Sequence, residues 1–445
     1  MMENFHLTWT INYASQHFPI FSNLFYQKSL HLNCEYYQQR IPTNYANGEN
    51  QDMRKILIVC NRTLNLGGIE TSLIQLVKAL ASNSQNVITL LIADTKGVLT
   101  DRLPSNIELI VNPYERASYE FHDDLKKLKI PKIIYGIFHR VKLRLTKLFY
   151  GKIKEWYKIA APYFEVKGSY DLAIAYSTDY SDLAIVIEKV AAKKKIAFLH
   201  SDPTVNMKVA KINDRLLEQF DSIFCVSKGV QNLYSKVHHS SAAKTSVFHN
   251  IFDDKEIVEK AYLVEKPITN SNDGTLNILT VGRISAEKGQ DRIPEIARKL
   301  ADNNYAIRWY LVGDGSMTEK VKENVKHLEL ENIVFFLGNK PNPFPYIKNC
   351  DIYVQPSKSE AYCTVTMEAK ILHKPIVTTD VPGMREQFES GKNGLIVESS
   401  VDGLYEGIKK LLDHPEIAQE FVKNLESEVL DNSGELEKLY RFIDS

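Results

Sequence analysis

From Met53 onward the chain alternates short apolar runs with amphipathic stretches of helical period, and this constrains its fold more than any other feature. Val87 to Ala93, Ile107 to Val111, Leu172 to Tyr176, Lys195 to Leu199, Ile223 to Val226 and Ser246 to Phe248 read as strands, after a first run at Ile56 to Cys60. Ile69 to Leu80 and Asp182 to Val190 read as helices between them. A run that is apolar throughout is the mark of a strand covered on both faces. Strands joined by helices must run parallel, because the crossover returns the chain to the same edge. A second series follows, with strands at Ile278 to Val281, Ile307 to Val312, Val334 to Leu337, Ile352 to Gln355, Ile376 to Thr378 and Leu395 to Val397. The fold class is therefore α/β, with two doubly wound halves facing a cleft. Such sheets take their ligands outside the carboxyl ends of the strands.

The boundaries follow from where the pattern changes. Residues 1–52 are rich in aromatics, poor in charge and without a sustained period, so they read as an extension, either flexible or upstream of the true start at Met53. Residues 53–250 form the first domain, 251–275 a polar linker, 276–430 the second domain and 431–445 a final helix. The chain carries 55 basic and 55 acidic residues, a balance that argues against generic nucleic-acid binding. No apolar run approaches the roughly 18–20 residues that span a bilayer. The start lacks the basic and apolar pattern of a secretory signal. Five cysteines lie scattered without a paired motif, and a reducing cytoplasm is the expected compartment.

The candidate chemistry sits where strands of the second half end. GRISAEKG, residues 282–289, places Arg283 and Lys288 after a strand and before a helix. Cations at the head of a helix add to its own positive end, which favours phosphate. PSKSEAYCTVTMEA, residues 356–369, carries Glu360 in a loop and Glu368 about one turn into a helix starting near Thr364. A carboxylate accepts two hydrogen bonds from neighbouring hydroxyls, which suits a sugar or a ribose diol. Two cations and two carboxylates at neighbouring strand ends together suit a nucleotide-diphosphate sugar.

This combination resembles the donor site of the retaining glycosyltransferases of family 4, of the bacterial surface-polysaccharide type, and most of the chain from Met53 fits. The resemblance implies the GT-B fold, two Rossmann-like domains facing a cleft. It implies that Arg283 and Lys288 contact the donor diphosphate, that Glu360 approaches the sugar hydroxyls and that Glu368 grips the ribose. Main-chain N–H groups of Cys363, Thr364 and Val365 would face the sugar and its phosphate. Gly282, Gly313 and Asp314 would line the donor site, and Gly338 would lie near the base. In VPGMREQFESGKNGLIV, Gly383 and Glu386 match the family's glycine turn and glutamate. The loop EAYC departs from the usual EGFG-like pattern. If its second position needs a positive φ, Ala361 adds strain of about a kcal/mol.

In the first half, GGIET resembles the family's GGxE loop, in which Gly67 and Gly68 let the backbone approach donor or acceptor. His200, ending a strand, matches a histidine near the transferred sugar. Structural readings of both remain available: two glycines can simply open a helix, and a loop histidine can cap one. His238 and His239 show no metal-ligand pattern, and no metal or other cofactor is expected. The final helix often crosses back to the first domain in this family, and Leu436 to Ile443 are placed to do so.

Between Lys126 and Lys158 the chain has eleven Lys or Arg and one acid, Glu155, interleaved with aromatics and aliphatics. That balance suits a helix on an anionic membrane surface, or equally a basic helix covering the core. The expected function is transfer of a sugar from a nucleotide-diphosphate sugar to a lipid-linked glycan acceptor. The enzyme would be hexosyltransferase-type, cytoplasmic and peripheral at the inner face of the cell membrane. The alternatives are a non-catalytic GT-B partner subunit, or another GT-B enzyme such as a sugar-nucleotide epimerase or a phosphorylase.

Overall fold

The computed structural model describes residues 53–112, 166–204, 213–264, 267–268, 274–430 and 432–445. The readings made for residues 1–52 and 126–158 lie outside these. The first domain is a seven-stranded sheet with strand order β3-β2-β1-β4-β5-β6-β7. Its strands are β1 (Arg54–Thr63), β2 (Asn86–Asp94), β3 (Glu108–Val111), β4 (Ser169–Ala175), β5 (Ala191–Leu199), β6 (Ser222–Cys225) and β7 (Thr245–Val247). The second domain is a six-stranded sheet with order β10-β9-β8-β11-β12-β13. It comprises β8 (Leu276–Val281), β9 (Ile307–Val312), β10 (Val334–Gly338), β11 (Ile352–Gln355), β12 (Ile376–Thr379) and β13 (Leu395–Val397). The named strands pair in parallel throughout.

Each sheet separates two apolar layers, because its strand residues point alternately to opposite faces. In β1, Ile56, Ile58 and Cys60 join one core cluster while Leu57 and Val59 join the other. In β8 and β11, Ile278, Ile352 and Val354 face one layer and Leu279, Val281 and Tyr353 the opposite one. Both orders reverse next to the first strand of the domain, at β1/β4 and at β8/β11. A crevice opens at each reversal, since the connections leave in opposite directions. The two crevices supply the glycine loop after β1 and the Arg283–Lys288 segment after β8.

The stretch read as a linker is more structured than its polarity suggests. It contains the helix Asp254–Ala261, whose first turn is capped by Asp253 accepting a hydrogen bond from the Glu256 N–H at 2.9 Å. Ile257 and Ala261, four residues apart, enter the second-domain core together with Ile268. Two apolar positions on one helix face suffice to dock it. An adjacent face meets the first domain, where Glu256 pairs with Lys78 at 2.7 Å.

The last helix, Ser433–Asp444, leaves the second domain and packs on the first. Leu439 is buried in the first-domain core, with Leu436, Tyr440, Phe442 and Ile443 against it. Asp444 pairs with Arg54 at 2.9 Å, and the Tyr440 hydroxyl accepts from the Asn86 amide at 3.0 Å. Burial of these apolar side chains holds the helix, and the half-exposed ion pair adds less than about 1 kcal/mol.

Candidate active site

The helix Gly68–Ala81 follows β1, and Gly67 is its N-cap in extended conformation. Glu70, in its first turn, folds back so that a Cβ at Gly67 would overlap its Oε2, and the same Cβ would stand 3.6 Å from Arg283 Nη2. A side chain here would displace the flexible Glu70 carboxylate, while Arg283 from the second domain stands at ordinary contact distance. A Cβ at Gly68 would lie 3.8 Å from Thr364 Oγ1, so the first-domain helix start faces that of Thr364–Ile371 across the cleft. Neither helix start carries a side-chain cap among the described residues, so their first N–H groups and Arg283 make a positive centre beside the Glu70 carboxylate.

Lys288 is placed by a zipped loop. Gly289 has φ of 72°, and a Cβ there would overlap the carbonyl oxygen of Pro356. The Lys358 N–H donates to the Glu287 carbonyl at 2.8 Å. The loop after β8 thereby lies flat on the loop after β11. Lys288 Nζ reaches Glu360 Oε1 at 2.6 Å, with the lysine side chain 26% exposed and the glutamate 8%. Burial pulls the Lys288 pKa down, but Glu360 outweighs it and the ammonium ends above its ordinary value. Behind the pair runs a buried chain of hydrogen bonds. Tyr353 OH donates to Gln355 Oε1 (2.8 Å), Gln355 Nε2 to Ser357 Oγ (2.9 Å), and Ser357 Oγ to Glu360 Oε1 (2.7 Å). One carboxylate oxygen is thus fixed by Ser357 and Lys288.

Glu368 has a different environment. It is 6% exposed, and no hydrogen bond to it from another side chain is recorded among the described residues. Burial pushes its pKa up from 4.5 to about 8, opposed by the charge of Arg102 from the first domain. Cys363 N-caps the same helix. Its thiol is buried and pushed up to about 12 by burial and by Glu360, so it is a packed neutral group. Thr364 is buried and Val365 half-buried in the first turn.

His200 follows β5 and lies against Tyr176, ring centroids 4.5 Å apart. Burial and the positive charge of Arg62 drive its pKa down from 6.5 to about 3. The imidazole is neutral, and its Nε2 is buried without a partner among the described residues. Arg62 in turn pairs with Asp179 at 2.7 Å and approaches Glu70 at 3.5 Å.

Gly282 and Gly313 follow β8 and β9, Gly338 ends β10, and they join as a ladder: Gly282 N–H donates to Val312 O and Gly313 N–H to Gly338 O, both at 2.9 Å. Asp314 is exposed, and its carboxylate is engaged locally by Thr318 Oγ1 at 2.6 Å and the Gly315 N–H at 2.7 Å. That hydrogen bond to Thr318 holds its pKa down, and the side chain closes a turn.

Glu386 sits at the seam between the domains. Its oxygens accept from the N–H groups of Lys228 (2.7 Å) and Gly229 (2.9 Å), the first turn of helix Lys228–Val237, and His249 Nε2 stands at 3.3 Å. The carboxylate is committed to capping a first-domain helix. Nearby, Ser227 Oγ donates to the Ala361 carbonyl at 2.8 Å, and Ala361 packs into the first-domain core with Tyr362 against it. Ala361 is absent from the residues of positive φ, so the expected strain does not arise. The family glycine is replaced where a methyl group fills first-domain packing.

Ser357, Gln355, Arg62 and Arg102 carry no role in the sequence reading, and Glu70 enters it only as the glutamate of GGIET. The spacings of Ser357 with Glu360 and of Gln355 with Ser357 mark local hydrogen bonds. Arg102 depends on a contact between distant segments.

Residues 264–428 match the protein family described as Glycosyl transferases group 1. The match covers the second domain. An uncharacterized glycosyltransferase of Methanocaldococcus jannaschii is 29% identical over 213 residues, 46% of this chain and 53% of its own length. An N-acetylgalactosamine-N,N'-diacetylbacillosaminyl-diphospho-undecaprenol 4-alpha-N-acetylgalactosaminyltransferase of Campylobacter jejuni is 28% identical over 210 residues, 46% of this chain and 54% of its own. The chain thus spans about half the length of these curated relatives. Among solved structures, Anabaena HepE in complex with UDP superposes with a TM-score of 0.62 at 16% identity, covering 88% of this chain and all of that one (100%). Staphylococcus aureus TarM, in complex with UDP among other ligands, superposes with a TM-score of 0.65 at 14% identity, covering 88% and 100%. The architecture is GT-B. The second domain contributes Arg283, Lys288, Glu360 and Glu368, and the first domain faces it with Gly67 and Gly68, while His200 lies against Tyr176 and Phe198 within the first domain. Among the described residues no group of three His, Cys, Asp or Glu is placed to hold a metal ion, and no helix is long and apolar enough to cross a membrane.

Proposed function

We propose that the protein transfers a sugar from a nucleotide-diphosphate sugar to a glycan acceptor in polysaccharide biosynthesis, with retention at the anomeric carbon. The observation that carries this reading is the convergence of Arg283, Lys288 and two opposed helix starts at facing switch points. That centre would neutralise the departing diphosphate, and preorganised charge of this kind is commonly the largest catalytic term. Glu368, buried and short of donors, would accept the two ribose hydroxyls. Glu360, with one oxygen fixed by Ser357 and Lys288, keeps its other for a hydroxyl of the sugar. His200 as a neutral imidazole can exchange one hydrogen bond with that sugar.

In a front-face reaction the bond between the anomeric carbon and the phosphate oxygen breaks with its electron pair going to phosphate. The acceptor oxygen bonds to the same face and gives its proton to the leaving phosphate oxygen. Every protein residue named above then acts by binding and charge stabilisation. The acceptor would be lipid-linked, as the name of the Campylobacter relative says of that protein. The cation-rich and aromatic stretch 126–158 supports peripheral attachment to the inner face of the membrane.

The test is release of free nucleoside diphosphate from a panel of sugar nucleotides, with and without lipid-linked acceptors. Release with one donor, abolished in K288A, supports the transferase. Binding without release, across the panel, would favour the non-catalytic partner subunit, and no binding at all would remove the donor-site reading.

A further inference from the structure

One histidine stands where three segments meet at the seam between the domains. His249 follows β7, and its backbone is held in the first domain by Phe248 and Ile251, both in that domain's core. Its Nδ1 lies 3.1 Å from Glu435 Oε1, in the first turn of the last helix, which packs on the first domain. Its Nε2 lies 3.3 Å from Glu386 Oε2, on the short helix Met384–Gln387. Met384 is buried in the second-domain core, so Glu386 is carried by that domain. The Glu386 carboxylate is thus seated in a first-domain socket made of the Lys228 and Gly229 N–H groups and the His249 ring. Gly229 packs so closely there that a Cβ would stand 3.1 Å from Pro382 Cβ and 3.2 Å from the Gly383 nitrogen. Gly383, with φ of 85°, lies in turn against the Ala361 carbonyl oxygen, 2.6 Å from where its Cβ would be. The His249 ring faces Tyr362 with centroids 5.6 Å apart, and Phe252 flanks the same tyrosine at 6.5 Å. The socket therefore meets the loop of Glu360 twice, through Gly383 and through Tyr362. We propose that His249 is a positioning residue, a cation bridging Glu386 and Glu435 that pins the second domain to the first and holds the Glu360 loop in place at the cleft.

The effect on the donor site rests on the reading of Glu360 as a donor residue; the pin itself does not. An ionised carboxylate only accepts, so both ring nitrogens can donate together only in the imidazolium form. The groups facing His249 are Glu386 from helix Met384–Gln387, Glu435 from the last helix, and the Tyr362 phenol, which burial pushes up. Lys438 donates to the same Glu435 oxygen at 2.7 Å. Glu435 Oε2 is buried without a partner among the described residues, so that carboxylate is answered on Oε1 alone. Lys228 and Arg385, beside the socket, are taken up by Gln231 and Asp380. The hydrogen bonds to Glu386 and then Glu435 outweigh burial and raise the His249 pKa from 6.5 to about 9. A folded-state pKa above the unfolded one means the bridge is at full strength below pH 6.5 and is lost as pH rises through about 9. Loss of the proton leaves one carboxylate without its donor, and the seam slackens beside the loop that carries Glu360.

The experiment compares the full chain as wild type, H249Q, H249R, E386Q and K288A between pH 7 and 10. Affinity is read by calorimetric titration with uridine, thymidine, guanosine and adenosine diphosphates, domain spacing by small-angle X-ray scattering without ligand, and folding by a thermal melt. At pH 7, H249Q and E386Q should bind the preferred diphosphate roughly tenfold more weakly than wild type, the scale of one lost hydrogen bond to a charged group. Both should also scatter with a larger radius of gyration. The ratio of wild-type to H249Q affinity should shrink toward one as pH rises through about 9, because wild type loses the same proton. H249R keeps a cation with donors for both carboxylates, so it should restore affinity and spacing at pH 7 and hold them to pH 10. If H249Q melts lower but keeps wild-type affinity and scattering, His249 is a packing residue only and the proposal is overturned while the donor site stands. A loss in H249Q that is equal at every pH, or one that H249R does not restore, also overturns it. If wild type binds none of the four diphosphates, or K288A binds as well as wild type, the donor-site reading fails. The scattering then decides the pin by itself: a larger radius in H249Q at pH 7, restored in H249R, supports it, and an unchanged radius overturns it.

Discussion

Replacing Glu368 with Gln should make the second domain more stable and the protein worse at holding nucleotide. Burial raises the carboxyl from its ordinary 4.5 to about 8. A folded-state pKa above the unfolded one means the native state binds the proton more tightly. Between pH 4.5 and about 8 the native state therefore carries more protons, and stability falls as pH rises across that window. The deficit is absent below 4.5 and complete above about 8. Each pKa unit corresponds to 1.36 kcal/mol, so at pH 7 the upper bound is about 3 kcal/mol. Reorganisation around the ionised group reduces this to about 1–3 kcal/mol in the measured comparison. Glutamine has nearly the shape of the protonated acid and never ionises.

Thermal unfolding of wild type and E368Q from pH 4.5 to 9 reads the effect directly. For a domain of 150–250 residues, 1 kcal/mol moves Tm by roughly 2–4 °C. The variant should melt several degrees higher at pH 8, and the two curves should meet near pH 4.5. Nucleoside diphosphate affinity should fall by about 1.5–3 kcal/mol in the same variant, the scale of hydrogen bonds to a charged group. A pH-independent difference in Tm, or a destabilised variant at pH 8, would refute the claim that the carboxylate is held in an environment unfavourable to its charge.

Arg283→Ala and Lys288→Ala should each lower turnover by roughly a hundredfold or more, measured as diphosphate release, since each removes a preorganised charge. Gly289→Ala should destabilise by at least about 1–2 kcal/mol in urea unfolding and weaken donor binding, because φ is 72° and the new methyl meets the Pro356 carbonyl. With His200 held neutral at a pKa of about 3, kcat/KM should show no limb between pH 5 and 8 that H200Q removes; a wild-type inflection near 6.5 lost in H200Q would contradict the burial argument. Sedimentation with liposomes should show binding that rises with anionic lipid, falls with salt and drops when Arg140, Lys142, Arg144 and Lys147 are neutralised, at about 1 kcal/mol per cation.

The fold was legible in the chain because parallel α/β sheets write themselves locally. A strand buried on both faces is apolar throughout, so a run such as Ile56–Cys60 announces itself. Site residues that close loops after such strands, Arg283, Lys288, Glu360 and Glu368, share this legibility, since a strand end fixes where they must stand. What the sequence withheld are relations between the domains. Glu386 reads in sequence only as a match to the family's glutamate, and its bonds to the first turn of helix Lys228–Val237 come from a segment 157 residues away. The Asp314 carboxylate is engaged locally by Thr318, four residues on. The helix Asp254–Ala261 hid in a polar linker because docking requires only Ile257 and Ala261 to be apolar. Arg102 had no local signature, since a main-chain carbonyl 239 residues away is its partner. The same asymmetry explains the departures at EAYC. Ala361 and Tyr362 depart from the family pattern where they meet the first domain, whereas Glu360 and Glu368 keep it. A loop can therefore keep its chemistry while its packing residues follow the partner domain.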